Sequence, residues 1–165
     1  MDVKIKKRAV KHIIYETGMF AFTFKELKKT EIEEELRNAL IESLVIHAYN
    51  LYRFLYQGEV EKKKGNRNKR KPTDVIAEDY IEKGRRLFFR HNRTPKRYFR
   101  NLENKRNKQI AHLTYDRITK KGWNIKMFTR LWHSVGIFLK SLPEDVNKKW
   151  FGEEIQKARK NVKSY

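Results

Sequence analysis

The chain of 165 residues contains no cysteine, so disulfide bonds and cysteine-ligated zinc sites are excluded. Glycine and proline number only seven and three, and no long stretch alternates apolar with polar residues, which favours helices over a sheet. No run of about 18 apolar residues is present, which excludes a bilayer-spanning helix. The charged N-terminus lacks the apolar core of a signal peptide, and we therefore expect a cytoplasmic protein without a membrane partner.

The chain does contain enough apolar material for a core, since 39% of its residues are hydrophobic and 13% are aromatic. A chain of this length fits one domain, and no internal repeat or linker divides it. We therefore predict a single all-α domain over residues 1–165, a helical bundle of about five to six helices.

The first third of the chain predicts two long helices. The first covers about residues 6–26, in which Gly18 is a candidate break. The second begins at Thr30, because Thr30 and Glu33 have the spacing of a capping box, and it ends at Gly58. One broad face of this second helix is apolar, which predicts a position at the centre of the bundle. Its opposite stripe contains Glu42, Ser43, Ile46, His47, Asn50, Arg53 and Gln57.

The remainder predicts four shorter helices, at about residues 74–80, 94–113, 124–142 and 144–160. The first three start at residue types that accept hydrogen bonds from the free backbone N–H groups of a helix start. These N-caps are Asp74, Thr94 and Asn124.

The net charge of +20 is large for this length, and it is clustered. Seven of the ten residues 62–71 are Lys or Arg, and so are eleven of the twenty-six residues 83–108, where Glu103 is the one acid. Such a charge repels itself in a compact fold, and an anionic polymer would neutralise it. We therefore predict a nucleic-acid partner, with an anionic membrane surface or a merely soluble basic protein as the alternatives. The basic loop, at about residues 60–73, is interpreted as an insertion between helices.

Residues in both clusters are predicted to contact the phosphate backbone, because Lys and Arg neutralise phosphates irrespective of sequence. The alternative for these side chains is a solvated charged face. The predicted residues are Lys62, Lys63, Lys64, Arg67, Lys69, Arg70, Lys71, Arg93, Lys96, Arg97 and Arg100.

Arg106 stands where the predicted helix 94–113 should carry an apolar side chain. Its neighbours on the helical wheel are Tyr98, Phe99, Leu102, Ile110 and Leu113. A guanidinium on such a stripe requires a partner or an opening to solvent. Either it pairs with a buried carboxylate such as Glu42, or the stripe faces a cleft or a second subunit where Arg106 meets phosphate. His112 is about 120° away on a continuous α-helix, so the two side chains meet only if the helix bends or a second chain supplies one of them.

The run RNKQIAH at residues 106–112 resembles the signature of HEPN domains (higher eukaryotes and prokaryotes nucleotide-binding), an Arg followed after four to six residues by His, often with Asn directly after the Arg. The longer run NKQIAHLTYDR and the helix ALIESLVIHAYNLYRFLY are similar to small prokaryotic HEPN-like proteins, some linked to abortive infection. The resemblance covers about residues 30–140. It implies a two-fold symmetric homodimer in which two motifs form one composite site.

The resemblance also implies a metal-independent endoribonuclease, in phage defence or as a toxin. His112 would be the general acid or base, Arg106 the bidentate phosphate ligand, and Asn107 the residue that orients one of them. The 2′-hydroxyl of the RNA is the attacking group, so no metal or other cofactor is expected. Further candidate site residues are Glu42, His47 and Tyr115.

Two alternatives stay open at this point. One is a non-catalytic RNA-binding HEPN module, and the other is an interaction domain that pairs with an antitoxin or regulatory protein. Toxins that pair with a nucleotidyltransferase antitoxin usually have a Tyr two residues after the His, whereas this chain has Thr114 there and Tyr115 one residue later. That departure puts regulation by tyrosine modification in doubt.

Overall fold

The computed structural model of the chain describes residues 2–63, 74–81, 101–104, 106 and 125–156. Every regular element within these ranges is helical, and no strand occurs in them, which confirms the all-α prediction for the described part of the chain. None of the described helices is long and apolar enough to cross a bilayer. In chain order the elements are α1 (Val3–Glu26), α2 (Glu34–Lys63), a 3₁₀ turn (Ala77–Asp79), the helical residues 101–104, a second 3₁₀ turn (Ile125–Phe128), α3 (Thr129–Lys140) and α4 (144–156).

Helix α1 is uninterrupted over 24 residues, so Gly18 does not break it. Asp2 caps its start, because the Asp2 carboxylate accepts a hydrogen bond from the Lys4 backbone N–H at 2.9 Å. The predicted range of about 6–26 is confirmed, with an added N-terminal turn. A glycine within a helix costs about 1 kcal/mol relative to alanine but does not end the helix.

Replacing Gly18 with alanine is expected to raise the free energy of unfolding by about 1 kcal/mol, because the substitution removes the helix-propensity cost and the freedom of glycine in the unfolded chain. A Cβ built at Gly18 has no heavy atom within 4 Å, so the methyl group fits without strain. Urea unfolding followed by circular dichroism measures the change. Gly136 in α3 has the same open surroundings and is the matched second site. A loss of stability at both positions would contradict the prediction.

Helix α2 begins at Glu34, four residues after the predicted cap at Thr30, so the capping-box prediction is wrong. Residues 31–33 have no regular structure, and the first backbone bond of the helix runs from the Arg37 N–H to the Glu33 carbonyl at 2.8 Å. Several acidic side chains lie near this helix start. They would interact favourably with the helix dipole whether the helix began at Glu34 or a few residues earlier. The capping chemistry therefore does not select a unique first residue.

The end of α2 also differs from the prediction, because the helix continues through Gly58 to Lys63. Gly58 lies inside the helix rather than after its last turn, which a glycine tolerates at a modest cost. The predicted loop at about 60–73 therefore starts no earlier than residue 64, and residues 64–73 lie outside the described ranges.

The core surrounds α2, as predicted from the broad apolar face of this long helix. The expected apolar face is half-buried at Leu40 and Ile41 and buried from its next member, Leu44, to Leu55, and the aromatic side chains of Tyr49, Phe54 and Tyr56 are buried as well. Phe54 and Phe138 of α3 meet edge to face, with ring centroids 5.0 Å apart. Tyr80 and Phe151 pack against the same cluster, with centroids 5.8 Å apart. Such pairs add about 0.5–1.5 kcal/mol to the burial of their area. The cluster joins α2, the segment 74–81, α3 and α4.

The segment 74–81 contains a single 3₁₀ turn, Ala77–Asp79, and Asp74 does not cap it. The Asp79 carboxylate instead accepts a hydrogen bond from the Ile76 N–H at 3.1 Å. Asp74 accepts a hydrogen bond from the side-chain amide of Gln57 in α2 at 2.9 Å, so this residue bonds to a neighbouring helix and not to its own turn.

The segment 74–81 is also attached to α1 by two hydrogen bonds. Lys6 Nζ donates to the Asp79 carbonyl, and the Tyr80 hydroxyl donates to the Lys6 carbonyl, both at 2.9 Å. Burial, and to a smaller degree the charge of Asp79, raises the pKa of Tyr80 above its ordinary value. The phenol therefore stays protonated at neutral pH and keeps its role as a donor.

The C-terminal helices agree with the sequence prediction in position. Helix α3 follows the second 3₁₀ turn and ends before Pro143, while the predicted cap Asn124 lies outside the described residues. Helix α4 contains a π-helical stretch at Asn147–Gly152. Of the predicted helix 94–113, residues 101–104 are helical and residue 106 is π-helical, and the other positions lie outside the described ranges.

Candidate functional site

Arg106 is the one predicted catalytic residue within the described part of the chain. Asn107, His112 and Tyr115 lie outside it. Lys62 and Lys63 form the end of α2, and only their backbone is described. The other predicted phosphate contacts that lie outside the described residues are Lys64, Arg67, Lys69, Arg70, Lys71, Arg93, Lys96, Arg97 and Arg100.

Arg106 is half-buried and lies against an aromatic ring. Its Cζ is 3.9 Å from the centroid of the Tyr49 ring, and Tyr49 is a buried residue of α2. Leu102, four residues earlier on the predicted stripe, is fully buried, whereas Arg106 keeps part of its surface exposed. A cation–π contact contributes about 0.5–1 kcal/mol at exposed sites and about 2 kcal/mol when desolvated. The tyrosine face stabilises the guanidinium in a way that neither interpretation of the sequence included.

Glu42, the carboxylate predicted near Arg106, is half-buried in α2. It precedes Tyr49 by seven residues, which on an α-helix corresponds to about 20° around the axis and about 10 Å along it. Glu42 and Tyr49 therefore share one face of α2. A role for Glu42 beside Arg106 stays a prediction.

His47 faces α1 and not Arg106. Its Nδ1 lies 2.6 Å from Glu16 Oε2 of α1, and the ring of Tyr15 meets the imidazole edge-on with centroids 5.7 Å apart. The 2.6 Å distance is that of a hydrogen bond between the imidazole and the carboxylate. Two residues along an α-helix correspond to about 160° around the axis, so His47 and Tyr49 lie on nearly opposite faces of α2. His47 is therefore remote from the Arg106 face.

A small polar crevice lies between α2 and the start of the segment 74–81. Its volume is about 260 Å³, and Asn50, Arg53, Phe54, Gln57 and Asp74 line it together with Val75. Arg53 Nε donates to Gln57 Oε1 at 3.1 Å, and Gln57 Nε2 donates to Asp74 Oδ2 at 2.9 Å. The sequence placed Asn50, Arg53 and Gln57 on a polar stripe but did not identify a site there. The four-residue spacing of Arg53 and Gln57 was the available signal, because such pairs face each other on a helix.

A larger apolar groove of about 710 Å³ lies among α1, α2, α3 and α4. Its lining includes Ile14 and Gly18 of α1, Leu55 of α2, and Trp132 of α3. Among the described residues, those that line the groove have no titratable side chain and therefore supply no acid or base. Trp132 is 45% exposed at its rim, which leaves an aromatic surface accessible to solvent.

Within the described ranges, no group of three or more His, Asp or Glu side chains is placed to bind a metal ion. Comparison of the chain with models of known protein families, with curated proteins and with solved structures gives no match. The likeness to HEPN domains therefore stays a prediction, based on the motif at residues 106–112.

Proposed function

We propose that this protein is a metal-independent endoribonuclease of HEPN type that acts as a homodimer. The observation that supports the proposal is the contact of Arg106 with Tyr49. Leu102 on the same stripe is fully buried, whereas the guanidinium of Arg106 is half-buried at the edge of the core, 3.9 Å from an aromatic ring. A partly exposed guanidinium that lies against an aromatic ring is positioned in a way suited to bidentate contact with a phosphate.

The proposed reaction requires only groups that RNA and the motif supply. The 2′-oxygen attacks the adjacent phosphorus, the bond from phosphorus to the 5′-oxygen breaks, and a 2′,3′-cyclic phosphate and a 5′-hydroxyl are formed. One His112 accepts the proton of the 2′-hydroxyl, and His112 of the second subunit donates a proton to the leaving 5′-oxygen. Arg106 stabilises the charge that develops on the phosphoryl oxygens. DNA lacks the 2′-hydroxyl and is not cut.

The charge of the chain supports an RNA partner independently of the catalytic motif. The net charge of +20 is concentrated in residues 62–71 and 83–108. Neutralised phosphates release counterions, which gives affinity without sequence preference. The same observation favours the second candidate function, a non-catalytic RNA-binding module of this fold.

The purified protein is expected to cut single-stranded RNA in the presence of EDTA and to leave DNA of the same sequence intact. Cleavage in EDTA is expected because the mechanism uses no metal ion, and DNA should stay intact because it lacks the attacking 2′-hydroxyl. Gel electrophoresis of end-labelled oligonucleotides measures cleavage, and treatment with a phosphatase identifies the cyclic phosphate end.

Tight binding of RNA without any cleavage would contradict the enzyme proposal and favour the RNA-binding module. The dependence of RNA affinity on salt distinguishes the endoribonuclease and the RNA-binding module from an interaction domain. Each phosphate contact to a single strand lowers the logarithm of the binding constant by about 0.7 per tenfold rise in salt. An affinity for RNA that does not change with salt would favour a protein partner.

A further inference from the structure

Helix α1 has an exposed face opposite to the side that packs in the core. Exposed residues recur along this face at spacings of four and three, which places them on one side of an α-helix. At a rise of about 1.5 Å per residue, the face extends over about 30 Å. It is called the α1 stripe below, and its side chains are Lys4, Arg8, Lys11, Tyr15, Phe22 and Lys25.

The first half of the α1 stripe is strongly cationic. Residues 3–15 contain five Lys or Arg and no Asp or Glu. Three of these five cations belong to the stripe, and within the described ranges their side chains have no hydrogen-bond or ion-pair partner: Lys4, Arg8 and Lys11. The other two have partners, since Lys6 Nζ donates to the Asp79 carbonyl and Lys7 Nζ lies 3.7 Å from Glu153 Oε2. The stripe therefore presents three uncompensated cations to solvent.

Two aromatic rings of the stripe are accessible to a ligand. Tyr15 is 56% exposed and Phe22 is 53% exposed. The seven residues from one to the other correspond to about 10 Å along the helix axis. Gly18 occupies the stripe position between them, and a Cβ built there has no heavy atom within 4 Å. The space between the two aromatic positions is therefore open at the helix surface.

The ring of Tyr15 is held in place although most of it is exposed. It meets the buried imidazole of His47 edge-on, with centroids 5.7 Å apart. The imidazole is itself fixed by its hydrogen bond with Glu16 at 2.6 Å. An aromatic side chain that is ordered before a ligand arrives loses less entropy on binding. The His47–Glu16 pair thus orients an exposed ring of the stripe.

Cations interleaved with exposed rings match the chemistry of a single-stranded nucleic acid. The cations neutralise phosphates, and bases that are not paired stack on aromatic side chains. An anionic membrane fits this face less well, because a helix that lies on a bilayer inserts its apolar face. The apolar face of α1, which includes Val10, Ile13 and Phe20, is buried in the core.

We propose that the α1 stripe binds single-stranded RNA, with its phosphates on the cations of the stripe and its bases stacked on Tyr15 and Phe22. The inference rests on RNA being the substrate in the proposed function, and it adds a surface outside the catalytic motif that binds the strand. Stacking tolerates every base, because each has a π-face. Duplex RNA is bound through its shape and backbone, so the stripe should prefer a single strand.

The test uses the full chain with His112→Ala, so that no RNA is cut, and fluorescence anisotropy. The probes are a single strand of about ten nucleotides, which at about 3.4 Å per base spans the stripe, and a duplex of the same sequence. Tyr15→Leu and Phe22→Leu should each weaken binding of the single strand about 5-fold or more, the usual cost of losing one stacked base. Duplex affinity should change by about two-fold or less.

Conservative variants provide the matched controls for the rings. Tyr15→Phe and Phe22→Tyr keep the aromatic faces and should bind the single strand as tightly as the parent protein. Trp132→Leu removes a ring that is 45% exposed on α3, outside the stripe, and should leave the preference for single strands intact.

The cations of the stripe are tested through the dependence of affinity on salt. Arg8→Gln and Lys11→Gln should each reduce the slope of the logarithm of the single-strand affinity against the logarithm of salt by about 0.7, the contribution of one phosphate contact. Lys140→Gln removes the same charge from an exposed position on α3 and should leave the slope unchanged. The Leu variants should also leave the slope unchanged, since they remove no charge.

Single-strand affinities of Tyr15→Leu and Phe22→Leu equal to that of the parent protein would overturn the inference. Equal losses for single strand and duplex would also overturn it, because no unpaired base would then be stacked on the stripe. Vesicles of phosphatidylcholine and phosphatidylserine test the membrane. Leu variants that lose affinity for these vesicles but keep their affinity for RNA would show that the stripe is a membrane surface, contrary to the inference.

These outcomes separate the inference from the proposed function. Weaker single-strand binding by the Leu variants, together with intact RNA in the cleavage assay of the unsubstituted protein, would support the stripe and overturn the endoribonuclease. Cleavage by the unsubstituted protein, together with unchanged affinity of the Leu variants, would overturn the stripe alone. The absence of RNA binding would overturn both.

Discussion

Replacing His112 with alanine is expected to lower the rate of RNA cleavage by about 10³-fold or more, because general acid–base catalysis by even one positioned imidazole contributes about 10²–10⁴-fold. Both copies of His112 are lost in a homodimer, so proton transfer to and from the reacting oxygens is lost together. RNA affinity should change little, since the many Lys and Arg residues supply most of the charge that would hold the phosphates. Single-turnover cleavage and anisotropy measure the two quantities separately. Cleavage at the original rate would show that the motif is not the active site.

Tyr49 provides the control that is specific to this structure. Arg106→Ala should lower the cleavage rate by about 10²-fold or more, as the loss of one transition-state charge contact does. Tyr49→Phe retains the aromatic face and should leave cleavage almost unchanged. Tyr49→Leu removes the face on which the guanidinium lies at 3.9 Å, and cleavage should fall although Arg106 is still present. Equal rates for the Phe and Leu variants would contradict a positioning role for Tyr49.

Replacing Phe138 with alanine is expected to lower the free energy of unfolding by about 3–5 kcal/mol, the usual cost of removing a buried phenyl ring. Phe138 is 1% exposed and packs edge to face on Phe54, Tyr80 and Phe151. The substitution would leave a cavity where α2, the segment 74–81, α3 and α4 meet. None of these elements can move to fill the cavity without losing contacts with the others. Natural domains are stable by only about 5–15 kcal/mol, so the loss is a large fraction of the total.

Phe22→Ala is the matched control, because the same ring is removed from a position that is 53% exposed. Its effect should lie within about 0.5 kcal/mol, as for other surface substitutions. Urea unfolding at constant temperature compares the two variants. Similar losses of stability for Phe22→Ala and Phe138→Ala would contradict the position of the core.

The sequence predicted the helices well where periodicity alone decides, and poorly where chemistry near the helix ends decides. The range of α1 followed from the spacing of its apolar residues, and Pro143 marked the end of α3. At α2, a capping box at Thr30 was a plausible start, yet the helix begins at Glu34. Competing cap residues differ by about 1 kcal/mol, which packing of the helix can override. The predicted end of α2 at Gly58 was wrong for a similar reason, because a glycine inside a helix has only a modest energetic cost.

The sequence could predict those features of the candidate site that depend on a single helix, but not the contacts between elements. Arg106 was identified because a charge on an apolar stripe departs from helical periodicity. The contact of Arg106 with Tyr49 could not be predicted, because the two residues are far apart in the sequence. The hydrogen bond between Glu16 and His47 was unpredictable for the same reason, since 31 positions separate them. The crevice likewise needed the fold, since Asp74 was interpreted as a helix cap.

The double attachment between Lys6 and the residues Asp79 and Tyr80 links the first turns of α1 to the wall of the crevice. These bonds span 73 and 74 positions of the chain, so nothing local maintains them. Removing the first two turns of α1 would therefore break both bonds, whereas Tyr80 would stay packed on Phe54, Phe138 and Phe151.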